Sequence, residues 1–307
     1  MEDYPRTILE FEKRFVTEEA CWAYLIKLRW PEGFICPRCG AAGNWTATRG
    51  RLICHACRYQ GSVTAGTIFQ DTRKPLRMWF QAVWHVTCQK NGVSAVSLQQ
   101  LLGLGSYMTA WTWMHKLRRA MVRPGRERLR GVVEVDETYW GAEEEGVVGR
   151  LTEGKAIIIV AAEENGTGIG RIRLRHIPDV TKTSLHGFIA DAIEPGSTVR
   201  TDGLNAYLGL GGYVHDRHVQ RRQPEGVHLL PRVHRVVSLL KRWLLGTHQG
   251  AIHQAHLDYY LDEFTFRFNR RTSASRGKLF YRLLQQAMQV DPAPYKSIVG
   301  GKPDHNR

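Results

Sequence analysis

The stretch "VVEVDETYWG", Val132 to Gly141, decides how this chain folds. Apolar residues run up to two adjacent carboxylates, Asp136 and Glu137, followed by an aromatic pair and a glycine. β-Branched residues in alternation read as a buried strand, here one that ends in acid. Side chains alternate across a strand, so Asp136 and Glu137 face opposite ways and cannot both serve one site. Asp136 is the candidate, and Glu137 is read as a supporting or strand-end contact.

Working outward, "GKAIIIVAAEE" predicts a second strand and "GIGRIRLRHIPD" a third, with "NGTGIG" (Asn165 to Gly170) as the hairpin turn between them. The run Ile157–Val160 implies a strand buried on both faces. "TSLHGFIADAI" reads as a helix capped by Thr183 or Ser184, and "EPGSTVRTDGLNAY" as a turn, a short strand and a second carboxylate, Asp202. Three antiparallel strands, a helix and a further strand open a ribonuclease-H-like α/β fold, a mixed sheet flanked by helices. In that order Asp136 lies on the central strand and Asp202 at the end of its neighbour. Acids on adjacent strands can share divalent cations with hard oxygen preference, Mg2+ or Mn2+. Two such ions about 3.5–4 Å apart activate a nucleophile and stabilise a leaving oxygen in phosphoryl transfer. Further on, "RVHRVVSLLKRWLL" places His234 and Lys241 seven residues apart, two turns along one helical face. Val237, Leu240 and Leu244 cover the core side. His234 is read as a third metal ligand and Lys241 as a phosphate contact.

The N-terminal part carries a different signal. Cys36, Cys39, Cys54 and Cys57 form "CPRCG" and "CHAC", two knuckles able to present four thiolates to one tetrahedral Zn2+. Four protein ligands close the site, so this zinc is structural, and a core this small needs it to fold. Gly40 allows the tight turn that aims backbone amides at the sulfurs. Cys21 and Cys88 read as buried thiols. A helical lead-in with Thr17 as N-cap precedes the ribbon. Between Pro75 and Val122 the pattern is helical. Leu98, Leu101 and Leu102 are expected on a core face, Gly103 and Gly105 make a turn, and a second helix runs from Thr109 to Met121. That suits a helix-turn-helix offering Thr109, Thr112, Lys116 and Arg119 to DNA.

The chain of 307 residues carries a formal charge of +14, which points to a polyanionic partner. Seven Lys or Arg against one Glu lie between Trp113 and Arg130, and the same numbers between Arg217 and Arg242. Phe266 to Arg282 holds six Lys or Arg and no acid, interleaved with Phe268, Phe280 and Tyr281. Such runs track phosphates with salt-sensitive affinity; Arg235, Lys241, Arg242, Arg270 and Arg271 are the residues named for it. Tyr139 and Trp140 stay open between stacking on a base and packing in the core. No apolar run is long enough to span a membrane, and the charged N-terminus lacks a signal-peptide core. A cytoplasmic, nucleoid-associated location is expected.

These residues together resemble bacterial insertion-sequence transposases of the ISXO-like type. The resemblance rests on the cysteine knuckles, "VEVDETYWG", the "TDG" element and "LLKRWLLGTH…HLDYYLDEFTFRFNRR", and it covers roughly residues 15 to 290. It implies a zinc module ahead of a DDE-type catalytic domain that cuts at element ends and joins the 3′ hydroxyl to target DNA. Asp136 and Asp202 match the first two catalytic acids. The third position, usually Glu, is His234 here, and Glu263 in "YLDEF" is the alternative. The expected domains are a lead-in and ribbon over 1–70, a helix-turn-helix-like module over 71–125, the catalytic domain over 126–290 and a flexible tail over 291–307. Expected partners are double-stranded DNA, as terminal inverted repeats and as target, and a second copy of the chain in a dimer or larger assembly. The rival expectations are a DNA-binding zinc-ribbon regulator without catalysis and a ribonuclease-H-fold nuclease that does not join strands.

Overall fold

In the computed structural model, which describes residues 2–123, 125–141, 154–219 and 229–300, the backbone divides between two units. One comprises Met1–Pro124 with Thr272–Arg307, the other Gly125–Arg271. Among the described residues no helix is long and apolar enough to cross a membrane.

In the first unit, α1 (Ile8–Arg14) and α2 (Glu18–Arg29) start on threonine caps. Thr17 accepts the amide of Ala20 at 3.3 Å, as its position before the helical run predicts. The ribbon follows as an antiparallel sheet in the order β1 (Asn44–Ala47), β2 (Arg51–Cys54), β3 (Gln60–Ser62). Then come α3 (Leu76–Cys88), α4 (Ala95–Leu102) and α5 (Tyr107–Ala120). Gly103 closes α4 in the left-handed conformation, φ 59°, the turn a helix-turn-helix needs at that point. One expectation fails here: Leu98 is fully buried, but Leu101 is 52% exposed. Helical spacing gives a face, not the neighbour that covers it. Cys21 is the buried thiol expected, its acidity suppressed by burial to a pKa of about 12; Cys88 is half-buried.

The second unit is built on a five-stranded sheet. Its strands are β4 (Val132–Trp140), β5 (Ala156–Asn165), β6 (Gly168–Ile177), β7 (Thr198–Thr201) and β8 (Val214–Arg217), in the order β6-β5-β4-β7-β8. β4, β5 and β6 pair antiparallel; β7 and β8 run parallel to β4. This is the mixed sheet expected, with the strand of Asp136 at its centre. The helix α6 (Lys182–Ala192) is capped by Thr181, which accepts the amide of Ser184 at 3.4 Å. The cap thus falls two residues before the expected Thr183, because Asp179 holds the Thr181 hydroxyl at 2.6 Å. Val133 and Val135 of β4 and Ile159 and Ala161 of β5 pack with Leu185, Phe188 and Ile189 of α6 on one sheet face. The other face carries Ile158, Val160 and Leu174 against α7 (Pro231–His248) and α8 (Leu257–Phe268). Val233, Val236, Leu240, Trp243 and Leu244 line the buried side of α7. Each such side chain removed from water contributes about 1.5–3 kcal/mol.

The chain then returns to the first unit through α9 (Arg276–Ala287) and α10 (Tyr295–Val299). The catalytic domain was expected to run to residue 290; from Thr272 on, the backbone groups with the N-terminal unit instead. The cause is an aromatic cluster. Phe280 is fully buried, with ring centroids 5.5 Å from Phe11 and 5.7 Å from Phe80 and from Trp84. Gly277 brings α9 close to the N-terminal arm, where any Cβ would run into the Pro5 carbonyl. In the expected tail, α10 buries Ile298, while residues 301–307 lie outside the described ones. Phe280→Ala is expected to destabilise the first unit by about 3–5 kcal/mol, read as an earlier urea transition.

Candidate active site and metal centres

Asp136 registers with Val160 of β5, on the sheet face covered by α7. Glu137 registers with Ile159, on the α6 face. The alternation that separates them is therefore real, and Glu137 is a supporting contact: its Oε2 accepts the hydroxyl of Tyr207 at 3.0 Å. That hydroxyl is held protonated well above the usual phenol range, by burial first and then by the charges of Glu137, Asp136 and Asp202.

The β4–β7 register pairs Val132 with Thr198, Val133 with Val199 and Glu134 with Arg200. Continued by two residues, it sets Asp202 level with Asp136, just past the end of β7. Asp202 turns there, its Oδ1 accepting the amide of Leu204 at 2.9 Å. From the other side, α7 brings His234 Nε2 to 3.5 Å from Asp136 Oδ2. Lys241 is half-buried on the same helix, and Arg235 and Arg242 are exposed. Part of the basic run around α7, residues 220–228, lies outside the described residues. Glu263 sits on α8, fully buried, with Arg267 Nε 2.9 Å from its Oε1.

The position of α7 depends on a residue the sequence reading did not single out. Glu134 is 0% exposed. Its carboxylate accepts the amides of Arg232 at 2.8 Å and Val233 at 3.0 Å, and Arg232 Nη1 at 2.9 Å. α7 begins on Leu230 with no side-chain cap of its own, so Glu134 caps it from the neighbouring sheet. The signal was available: an acid two residues before Asp136, on the same face, inside an apolar strand.

The donor chemistry differs between the two candidate metal centres. Among the described residues, only Cys36, Cys39, Cys54 and Cys57 bring three or more ligand atoms within 4.8 Å of one another. Cys36 and Cys57 Sγ are 3.6 Å apart, Cys39 and Cys54 Sγ 3.7 Å. Backbone amides of Cys57 and Ala56 lower the pKa of Cys54, while its close partner Cys39 is raised, so of this pair Cys54 is the one that favours the thiolate before metal binds. Gly40 takes φ 72° in the first knuckle, as its turn requires. This cluster fits a structural zinc. The core beneath it is small: Phe34, Cys36, Leu52 and Cys54 are its buried members. Chelation of zinc is therefore expected to unfold the ribbon, seen as increased proteolysis within residues 31–63, and one zinc per chain should be released. At the other centre, two carboxylates and an imidazole fit a hard or borderline divalent ion. Asp136 and His234 stand together as a donor pair, with Asp202 outside their immediate radius.

The residues named for DNA contact fall into two groups. Arg235 and Arg242 are presented outward; Lys116 and Arg119 are half-buried on α5, and burial lowers the pKa of Lys116. Arg270 stacks 4.1 Å from the Phe266 ring, and Arg271 donates to the carbonyls of Phe268, Gly170 and Ile169. Lys278 and Arg282 pair with Glu2. Much of the basic run after Phe266 thus holds the chain together. Trp140 is a core aromatic on the α7 face.

Residues 128–269 match the ISXO2-like transposase domain, and residues 16–60 match the transposase zinc-ribbon domain. A Halobacterium salinarum protein described as an uncharacterized protein in transposable element ISH50 is 28% identical, over 83% of this chain and 92% of that one. A chain of the simian T-cell lymphotropic virus intasome in complex with PP2A regulatory subunit B56 gamma aligns at a TM-score of 0.31 and 16% identity, covering 66% of this chain and 74% of that one.

Proposed function

We propose, from the matches of residues 128–269 to the ISXO2-like transposase domain and of residues 16–60 to the transposase zinc-ribbon domain, that the chain cuts DNA at the ends of an insertion sequence and joins the freed 3′ hydroxyl to target DNA. The observation that carries this reading is His234 Nε2 lying 3.5 Å from Asp136 Oδ2, beside a parallel β4–β7 pairing that points Asp202, just past the end of β7, toward the same end of the sheet. Asp136 and Asp202 would offer carboxylate oxygens and His234 an imidazole nitrogen. Bound Mg2+ or Mn2+ ions there supply an activated nucleophile and charge stabilisation at the phosphodiester. Lys241 lies two turns along α7 from His234, within reach of a phosphate running over the site. The exposed Arg235 and Arg242 offset the repulsion between a polyanion and two carboxylates. His234 is the third ligand we favour, because Glu263 is already held by Arg267. Cleavage and joining at two ends require two active centres, so the working form is a dimer or larger assembly on DNA.

The test is incubation of the zinc-loaded chain with labelled element-end duplex in Mg2+ or Mn2+, alongside pre-cleaved ends and target plasmid. Cleaved and joined products are expected, and both should vanish with EDTA. Cleavage without joining of pre-cleaved ends would reduce the protein to a nuclease. Tight binding with no metal-dependent products would reduce it to a regulator.

A further inference from the structure

Residues 33 to 126 contain thirteen Lys or Arg and a single acid, Asp71. Within that span the ribbon is free of carboxylates, and one side of it carries a built cluster. Trp45 on β1 is 45% exposed. The guanidinium of Arg58 lies 4.4 Å from its ring centroid, and the His55 ring 4.2 Å from it. His55 is seated in turn on Gly43, where a Cβ would come within 2.9 Å of its Nδ1. Arg58 sits at φ 61°, a left-handed position that a side chain adopts at a cost. The fold therefore holds an arginine in a strained turn and fixes its head group over an exposed tryptophan. Among the described residues no carboxylate pairs with it.

A guanidinium fixed by an aromatic plate has already lost much of its rotamer freedom, so a ligand that bonds its planar fork does not have to order it. Its delocalised charge suits a phosphate oxygen pair. We infer that Trp45, His55 and Arg58 form a phosphate grip through which the zinc ribbon holds the backbone of duplex DNA. The commitment to DNA comes from charge: the surrounding span sets thirteen cations, spread along its length, against the one acid Asp71, as a long polyanion requires. This inference rests on the proposed DNA-cutting function and adds to it a contact surface outside the catalytic unit.

The experiment uses the full zinc-loaded chain and two probes, an element-end duplex and a random duplex of equal length, titrated across a salt series. Arg58→Asn keeps the left-handed turn, which asparagine tolerates. It is expected to weaken binding of both probes about tenfold and to lower the salt slope by about one. Trp45→Ala should weaken binding similarly by releasing Arg58, and Trp45→Phe should restore most of the loss by keeping an aromatic plate. Zinc content and melting temperature establish that each variant is folded. Wild-type binding with unchanged affinity and slope in Arg58→Asn would overturn the grip while leaving the proposed function standing. A wild-type chain that binds neither probe would overturn both. Loss on the element-end duplex alone would show base reading in place of phosphate contact, and would also overturn the grip.

Discussion

Replacing Glu134 with Ala is expected to cost the second unit about 3–5 kcal/mol and to depress the proposed strand cleavage through the position of α7. The carboxylate is wholly buried and takes two backbone amides and a guanidinium at 2.8–3.0 Å. Negative charge at a helix N-terminus also interacts favourably with the unpaired amide dipoles there. Truncation leaves those two amides inside the protein without an acceptor. Arg232 keeps Glu164 at 3.0 Å and the carbonyls of Gly166 and Gly168, so the β5–β6 hairpin stays tied to its side chain. What loosens is the start of α7. His234 lies two residues after Arg232, and its place 3.5 Å from Asp136 depends on that start. Glu134→Gln should fall between wild type and Ala, because one neutral oxygen can still accept an amide. Urea melts give the stability change. Cleavage below the melting range, at saturating DNA, should show a lowered kcat with little change in DNA affinity. Wild-type stability in Glu134→Ala would refute the capping role.

The parts of this site that the sequence revealed share one property: their signal is local. An acid at the end of an apolar strand exposes Asp136, and the period of two separates it from Glu137. A spacing of seven from His234 to Lys241 puts both on one helical face. Cys-x-x-Cys pairs announce the ribbon. The β-strand order follows from which segments are apolar and how short the turns between them are. Asp202 needed one step more, since its approach to the end of β4 comes from a parallel register, Val132–Glu134 against Thr198–Arg200, that only the fold creates.

What stayed hidden was long-range pairing. Glu134 meets Arg232 across 98 residues, and nothing in either neighbourhood marks the other. The same holds for the return of α9 to the N-terminal unit. Its lysines and arginines read as a nucleic-acid face, but Phe280 packs among Phe11, Phe80 and Trp84, and Glu2 takes up Lys278 and Arg282. A basic run shows its charge in the sequence; whether a carboxylate elsewhere neutralises it is a property of the fold.

The largest loss of activity should come from replacing the proposed metal ligands themselves. Asp136→Ala and Asp202→Ala are each expected to reduce cleavage by a thousandfold or more, on the order of 4 kcal/mol of transition-state stabilisation. Neither should weaken binding of element-end DNA, because removing a carboxylate from a cationic surface lowers repulsion. His234→Ala should produce a similar fall. His234→Glu restores an oxygen ligand at the same place on α7, and should recover activity with a preference shifted from Mn2+ toward Mg2+. Glu263→Gln is expected to behave differently. It leaves the guanidinium of Arg267, only 10% exposed, beside a neutral partner, so stability should fall by a few kcal/mol. The metal dependence of the remaining cleavage should stay as in wild type. A fall in activity without loss of stability in Glu263→Gln, together with full activity in His234→Ala, would move the third ligand to α8. The two variants thus separate a residue that meets the metal from one that keeps a buried charge paired.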